Sequence, residues 1–404
     1  MALDYPTLRA ILADERLPAA LVDLDAFDRN LERVLDLVRP RALPVRIATK
    51  SVRAVSLLRR LLDRGGGLTR GLMCFTCEEA AFLAARGFDD LLIAYPAWQR
   101  RDLELVAKLV HDGRTVRLVA DSLEGIRRIS EVGAAHGVRV PIVLCLDLSL
   151  RLAGDRVHVG VRRSPLREPA EVVSLAREAE SLPGTTFHGL LGYEAQVAGL
   201  PDRGPVQRAL NPVKSLVRRL SVPLAADLRG ATVRALTAAG LPPRVVNGGG
   251  TGSLDTTSRD QGVTEVTAGS AFFKPALFDG FSNAHVRALE PAAFFALEVT
   301  RVPGKGFVTC AGGGYVASGP AGRDKVPLPW LPEGISLLDA EQCGEVQTPL
   351  VLARDTRLRP GDPVIFRHAK AGELAERFDS FLLVASGEVA GRAATYRGEG
   401  QCYI

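Results

Sequence analysis

Eight short apolar runs, most of them followed by a stretch with helical hydrophobic spacing, recur between residues 45 and 270 and restrict this chain more than any other feature. They are Val45–Lys50, Leu72–Thr76, Leu91–Tyr95, Val116–Asp121, Ile142–Asp147, Phe187–Tyr193, Arg244–Asn247 and Glu265–Ser270. Strands that alternate with helices pair in parallel, and eight repeats close on themselves. The expected fold is therefore α/β, a (β/α)8 barrel. Two of the helices have capping-box spacing, Thr76-x-x-Glu79 and Asp121-x-x-Glu124, which satisfies first-turn amides. Pro18 to Asp23 reads as a strand, and Asp25 to Val38 as a helix with Phe27, Leu31, Val34, Leu35 and Val38 on one face. Pro212 and Pro223 divide the connection from Pro205 to Gly240 into more than one expected helix.

Beyond about Ser282 the pattern changes. Short β-like runs appear at Phe294–Arg301, Gly306–Cys310, Leu350–Leu352, Pro363–Phe366 and Phe381–Ser386, densely punctuated by glycine and proline. A barrel domain over residues 18–281 and a mostly β C-terminal domain over 282–404 follow, with residues 1–17 expected to pack on the latter.

The net charge of +5 comes largely from arginines scattered along helical stretches, with no basic run interleaved with aromatics. Nucleic acid is thus not an expected partner. No apolar stretch reaches membrane-spanning length, and residues 1–17 lack a signal peptide's apolar centre, so a cytoplasmic protein is expected. Of six cysteines only Cys74 and Cys77 have C-x-x-C spacing, and without a second pair they read as buried thiols in a reducing compartment.

In such a barrel the reactive groups sit at the carboxyl ends of the strands. Lys50 ends the first. At the end of a buried strand, desolvation would lower its pKa and supply a free amine for imine formation; the competing reading is a strand-end lysine in solvent. Asp147, Ser149 and Arg151 follow the fifth strand, and His188, Tyr193, Glu194 and Gln196 lie on or after the sixth. The seventh runs into Gly248-Gly249-Gly250-Thr251-Gly252-Ser253, and the eighth ends in Gly269-Ser270. Consecutive glycines let amides approach an anion, and the hydroxyls add donors; alternatively the loop is a flexible surface turn. A phosphate cradle across the mouth from an imine-forming lysine describes a site for pyridoxal 5'-phosphate.

The chain resembles the fold-type III pyridoxal phosphate enzymes, the alanine racemase-like group, and within it the D-threonine aldolase and D-serine dehydratase branch. The resemblance rests on Pro18-Ala-Ala-Leu-Val-Asp-Leu-Asp25, Arg46-Ile-Ala-Thr-Lys50-Ser51, the glycine-rich loop, Glu265-Val-Thr-Ala-Gly269-Ser270 and Phe366-Arg-His368-Ala-Lys370. It implies Lys50 as the Schiff-base lysine. Gly248, Gly249, Gly250, Thr251, Gly252, Gly269 and Ser270 are implied as the phosphate cup, Arg151 as the arginine on the cofactor's phenolic oxygen, and Tyr193 as the residue beside the pyridine ring. It also implies a homodimer with a shared site.

Two departures matter. Where alanine racemases place an arginine facing the pyridine nitrogen, this chain has Thr267. Where the aldolase and dehydratase branch has a His-x-Asp or His-x-Cys metal pair, it has His368-Ala369-Lys370. An ammonium cannot ligate a cation, so a weak or absent divalent metal site is expected. Lys370 would then supply the positive charge and His368 would handle the β-hydroxyl proton. The alternatives are a structural histidine and a surface ion pair of Lys370 with Glu373 or Glu376.

The expected activity is a pyridoxal phosphate-dependent aldolase acting on a D-β-hydroxy amino acid, by cleavage to, or synthesis from, a glycine-like donor and an aldehyde. A dehydratase/deaminase is the next reading, then a racemase. A pyridoxal phosphate-binding carrier protein is the reading from outside enzymology.

Overall fold

The computed structural model describes residues 3–152, 156–320, 322–370 and 372–403. All eight expected runs form strands, and they close into one parallel barrel. In chain order the barrel strands are Val45–Ala48, Thr69–Cys74, Leu91–Ile93, Val116–Ala120, Val140–Leu146, Thr185–Gly192, Val245–Gly248 and Glu265–Ala268. The eighth pairs with the first through Val266–Val45 and Ala268–Ile47, which completes the ring.

Alternation along the strands divides the barrel wall. Val45 and Ile47 are fully buried in the core shared with the helices, whereas Arg46 between them is buried in polar company. Its guanidinium holds Glu265 through two bonds of 2.6 and 2.8 Å and Asp90 at 2.9 Å. Glu265 in turn accepts from Asn247 at 2.8 Å, and Asn247 exchanges hydrogen bonds of 2.8 and 3.0 Å with Thr267. Leu92, Val119, Val143 and Leu191 form a separate apolar cluster on other barrel strands. A buried arginine needs such paired carboxylates, because desolvating an isolated charge is prohibitive.

The helix Leu24–Val38 starts where Asp23 accepts from the Ala26 amide at 3.0 Å, and its expected apolar face is buried. The helix Cys77–Ala85 is capped by Thr76, which accepts from the Glu79 amide, while Glu79 accepts from the Phe75 amide. Two local expectations need correction. The helix Leu123–Ala135 is capped by Ser122, not Asp121, since the extended backbone at Ser122 aims its hydroxyl at the Gly125 amide. Residues Asn211–Ala238 form one helix despite both prolines. Pro212 lies in the first turn, where no amide is needed, and Pro223 lies on the exposed side. Ser221, Ala225, Arg229, Thr232 and Leu236 provide the buried face that offsets the cost of an interior proline.

The C-terminal region forms a nine-stranded sheet containing all five expected runs, together with Leu328–Leu331, Ile335–Leu337 and Glu388–Ala394. The strand Ala19–Asp23 belongs to this sheet although residue 18 was the expected start of the barrel domain. It lies antiparallel to Ala293–Gly304 and parallel to Ser380–Ala385. No helix among the described residues is long and apolar enough to cross a membrane.

Candidate active site

The first barrel strand ends at Ala48, and a single 3-10 turn, Thr49–Ser51, carries Lys50 to the mouth. Thr49 fixes the turn by donating to the Met73 carbonyl at 2.9 Å. The burial expected for Lys50 is absent, since its side chain is exposed on the open face of the barrel. Its Nζ donates to the Tyr95 Oη at 3.2 Å.

From Tyr95, just beyond the third strand, contacts continue around the mouth. The Arg163 guanidinium stands 5.9 Å from the centroids of both the Tyr95 and Tyr193 rings. Tyr193 follows the sixth strand and lies so close to Gly250 that a Cβ there would sit 3.0 Å from its ring. On the other side of Lys50, a Cβ at Gly269 would sit 2.7 Å from Ser51 Oγ, and Ser51 Oγ lies 3.3 Å from Ser270 Oγ. The lysine, two tyrosines, an arginine and both glycine-bearing strand ends thus share one mouth.

The glycine loop is held from behind. Glu194, buried after the sixth strand, accepts from the Gly249 amide at 3.3 Å, Ser253 Oγ at 3.2 Å and Thr257 Oγ1. Arg229 of the long helix neutralises it at 3.1 Å and also pairs with Asp260.

The C-terminal region closes on the same turn. Gly372 packs against the Lys50 carbonyl, and Arg53 joins that carbonyl, at 3.0 Å, to Glu376. His368 is buried with its ring edge-on to Phe273, and its carbonyl accepts from the Ala276 amide at 3.0 Å. Lys370 Nζ donates to the Ser318 carbonyl and hydroxyl at 3.2 and 3.0 Å. Both residues line a cavity of about 330 Å³ with Tyr315, Glu373 and Arg377.

Residues 22–274 match the family described as alanine racemase, N-terminal domain. The chain belongs to that family. It is 25% identical over 288 residues to the 3-hydroxy-D-aspartate aldolase of Paracoccus denitrificans (strain Pd 1222), covering 71% of this chain and 68% of that protein. It is also 25% identical over 262 residues to the D-threonine aldolase of an Arthrobacter species, covering 65% of this chain and 62% of that protein. The crystal structure of D-threonine aldolase from Filomicrobium marinum superposes with a TM-score of 0.78 at 25% identity, over 96% of this chain and 97% of that one. The D-threo-3-hydroxyaspartate dehydratase of Delftia sp. HT23 shares the fold, with a TM-score of 0.74 at 21% identity over 95% and 98% of the two chains.

Pyridoxal phosphate is the cofactor of the alanine racemase family, and the mouth suits it. Gly250 and Gly269 let Tyr193 and Ser51 approach the backbone of the two strand ends more closely than any larger residue would allow. The Gly249, Gly250 and Ser253 amides are bonded to Glu194 and within the loop, which leaves the hydroxyls of Thr251 and Ser270 and the amides at the loop's tip as donors suited to a phosphate. Lys50, Tyr193, the Gly248–Ser253 loop, Gly269 and Ser270 are brought together around that mouth. Arg151 holds Asp147, just before its own hairpin, at 2.6 Å, and Arg163, which no sequence motif marks, faces the two tyrosines. Thr267 is committed to Asn247. His188 is held near 4, chiefly by burial and then by Arg117 and Arg244. Tyr95 and Arg163 were missed because no local motif marks them; that Tyr95 closes the third expected run was the one available signal.

Proposed function

We propose that this chain is a pyridoxal phosphate-dependent lyase that cleaves or forms the Cα–Cβ bond of a D-β-hydroxy amino acid. The observation that carries the reading is Lys50 standing in one mouth with the glycine loop, Gly269 and Ser270, while Gly372 and Glu376, which follow the His368–Lys370 segment, reach its turn. Bound pyridoxal phosphate supplies the electron sink that lets a bond to Cα break. Lys50 holds the cofactor covalently through its amine and then serves as a base on one face of Cα. The glycine loop, Thr251, Gly269 and Ser270 receive the phosphate, and Tyr193 flanks the ring. Arg163 stands ready for the phenolic oxygen, beside the earlier candidate Arg151.

His368 takes the β-hydroxyl proton, and the Lys370 ammonium offsets the negative charge that develops on that oxygen. Among the described residues no three His, Cys, Asp or Glu side chains gather as a metal site. Glu376 is occupied by Arg53, and Glu373 accepts from the Ser318 amide at 3.2 Å, so the described contacts of Lys370 are with Ser318 rather than these carboxylates. We further read the protein as a cytoplasmic homodimer. An exposed stripe of Val213, Leu216, Leu220 and Leu224 on the long helix supports an oligomer, and the buried thiols of Cys74, Cys77 and Cys310 suit a reducing compartment.

The test is a panel of D- and L-β-hydroxy amino acids, with and without divalent metal, in which aldehyde, ammonia and enantiomer are followed separately. Aldehyde from D-substrates without added metal is expected. Ammonia as the main product would move the assignment to a dehydratase, an activity shared with a Delftia relative 28% identical over 256 residues. Enantiomer formation alone would make the protein a racemase, and strict metal dependence would refute the role given to Lys370.

A further inference from the structure

An amino acid reaches a lysine-held cofactor as an ammonium ion, whereas the nitrogen that attacks must be neutral and the lysine nitrogen that departs must gain a proton. A group in contact with the lysine nitrogen, able to accept one proton and return it, would serve both needs. Tyr95 Oη lies 3.2 Å from Lys50 Nζ, and Arg163 faces the same ring from across the mouth. Resting on the reading of Lys50 as the cofactor lysine, we infer that Tyr95 is a further catalytic residue, the proton carrier between the arriving amine and Lys50.

The surroundings of the two tyrosines distinguish them. Burial alone would raise the Tyr95 phenol, but the Lys50 charge and hydrogen bond, followed by the Arg163 charge, outweigh it and lower the phenol below its ordinary value. Cys145 on the fifth strand opposes this weakly. Tyr193 faces the same arginine, yet burial pushes its phenol up to about 12, with Glu194 and Tyr95 adding to the rise. Of the two, Tyr95 alone contacts the reacting nitrogen; in the cofactor-free protein Lys50 and Arg163 both favour its phenolate, and Arg163 remains beside it once the Lys50 nitrogen is bonded to the cofactor.

The step balances without any other reagent. The phenolate oxygen of Tyr95 takes a proton from the substrate ammonium. The freed amine forms its bond to the cofactor's carbonyl-derived carbon as the bond from that carbon to Lys50 Nζ breaks. Tyr95 passes that proton to Nζ and the attacking amine passes one of its own, so that Nζ leaves as a neutral amine and the substrate nitrogen keeps its last proton in the new double bond to carbon. No net proton is taken up or released.

The experiment compares the full-length wild-type protein with Tyr95→Phe, which keeps the ring and removes Oη. Borohydride trapping and peptide mapping first establish that the wild type carries the cofactor on Lys50; if it does not, the reading beneath this inference fails. The cofactor is then displaced at neutral pH by methylamine, which arrives as an ammonium, or by hydroxylamine, which arrives neutral. Tyr95→Phe is expected to slow displacement by methylamine roughly 10²-fold and to leave hydroxylamine little changed. A merely structural role would slow both alike, and that result, or no change in either, would overturn the proposal. In cofactor-free full-length protein, tyrosinate absorbance should show one phenol titrating below the ordinary range in the wild type and none in the variant. Its presence in both would count equally against Tyr95.

Discussion

Gly372 and Lys50 are in contact through their backbones: a Cβ at Gly372 would stand 2.2 Å from the Lys50 carbonyl oxygen. That carbonyl also accepts from Arg53 Nε at 3.0 Å. The C-terminal segment therefore fixes the turn that presents Lys50. Gly372→Ala must push the two backbones apart, and overpacking of this kind costs about 1–3 kcal/mol. The expected outcome is a lower urea midpoint together with weakened cofactor retention, measured by equilibrium unfolding and by absorbance after dialysis.

Arg229 and Glu194 make a second prediction. Both are buried, and the carboxylate they share with the glycine loop has no solvent to replace a lost partner. Arg229→Met should destabilise the protein by roughly 3–5 kcal/mol, the usual result of leaving one member of a buried pair alone. Because Glu194 holds Gly249 and Ser253, affinity for pyridoxal phosphate should fall more than affinity for pyridoxal, as read by fluorescence titration with each.

Glu79 carries the pH dependence. Burial, opposed by Thr49, the Phe75 amide, Tyr396 and Arg53, raises its carboxyl from 4.5 to about 7. Tyr396 Oη lies 2.9 Å from one carboxylate oxygen. An acid whose folded pKa exceeds its unfolded one contributes stability that is complete below the unfolded value. That contribution is lost as pH rises through the folded value. Glu79 should therefore cost the fold on the order of 3 kcal/mol between about pH 4.5 and pH 7. Urea unfolding across that window should show this loss in the wild type and a flatter profile in Glu79→Gln.

What the sequence disclosed depended on range. The barrel was legible because each strand and helix announces itself locally by periodicity, and Lys50 was legible because it directly follows a strand. Arg163 was not. Its partners are Tyr95 and Tyr193, brought to it by the hairpin of Leu150–Leu152 and Val157–Val159, and no spacing encodes that approach. Pro223 misled for a related reason. The rule that proline ends a helix is local, whereas the face that keeps residues 211–238 helical is buried by distant neighbours. The desolvation expected at Lys50 followed from its strand, but the turn after Ala48 carries the side chain out to the mouth.

The central claim is that Lys50 is the residue that holds pyridoxal phosphate. Borohydride reduction of the protein loaded with pyridoxal phosphate, followed by peptide mass mapping, tests it most directly. The account predicts the pyridoxyl group on the peptide containing Lys50 and its loss, with the visible absorbance, in Lys50→Ala. Label on another lysine, or an unchanged spectrum in Lys50→Ala, would contradict it.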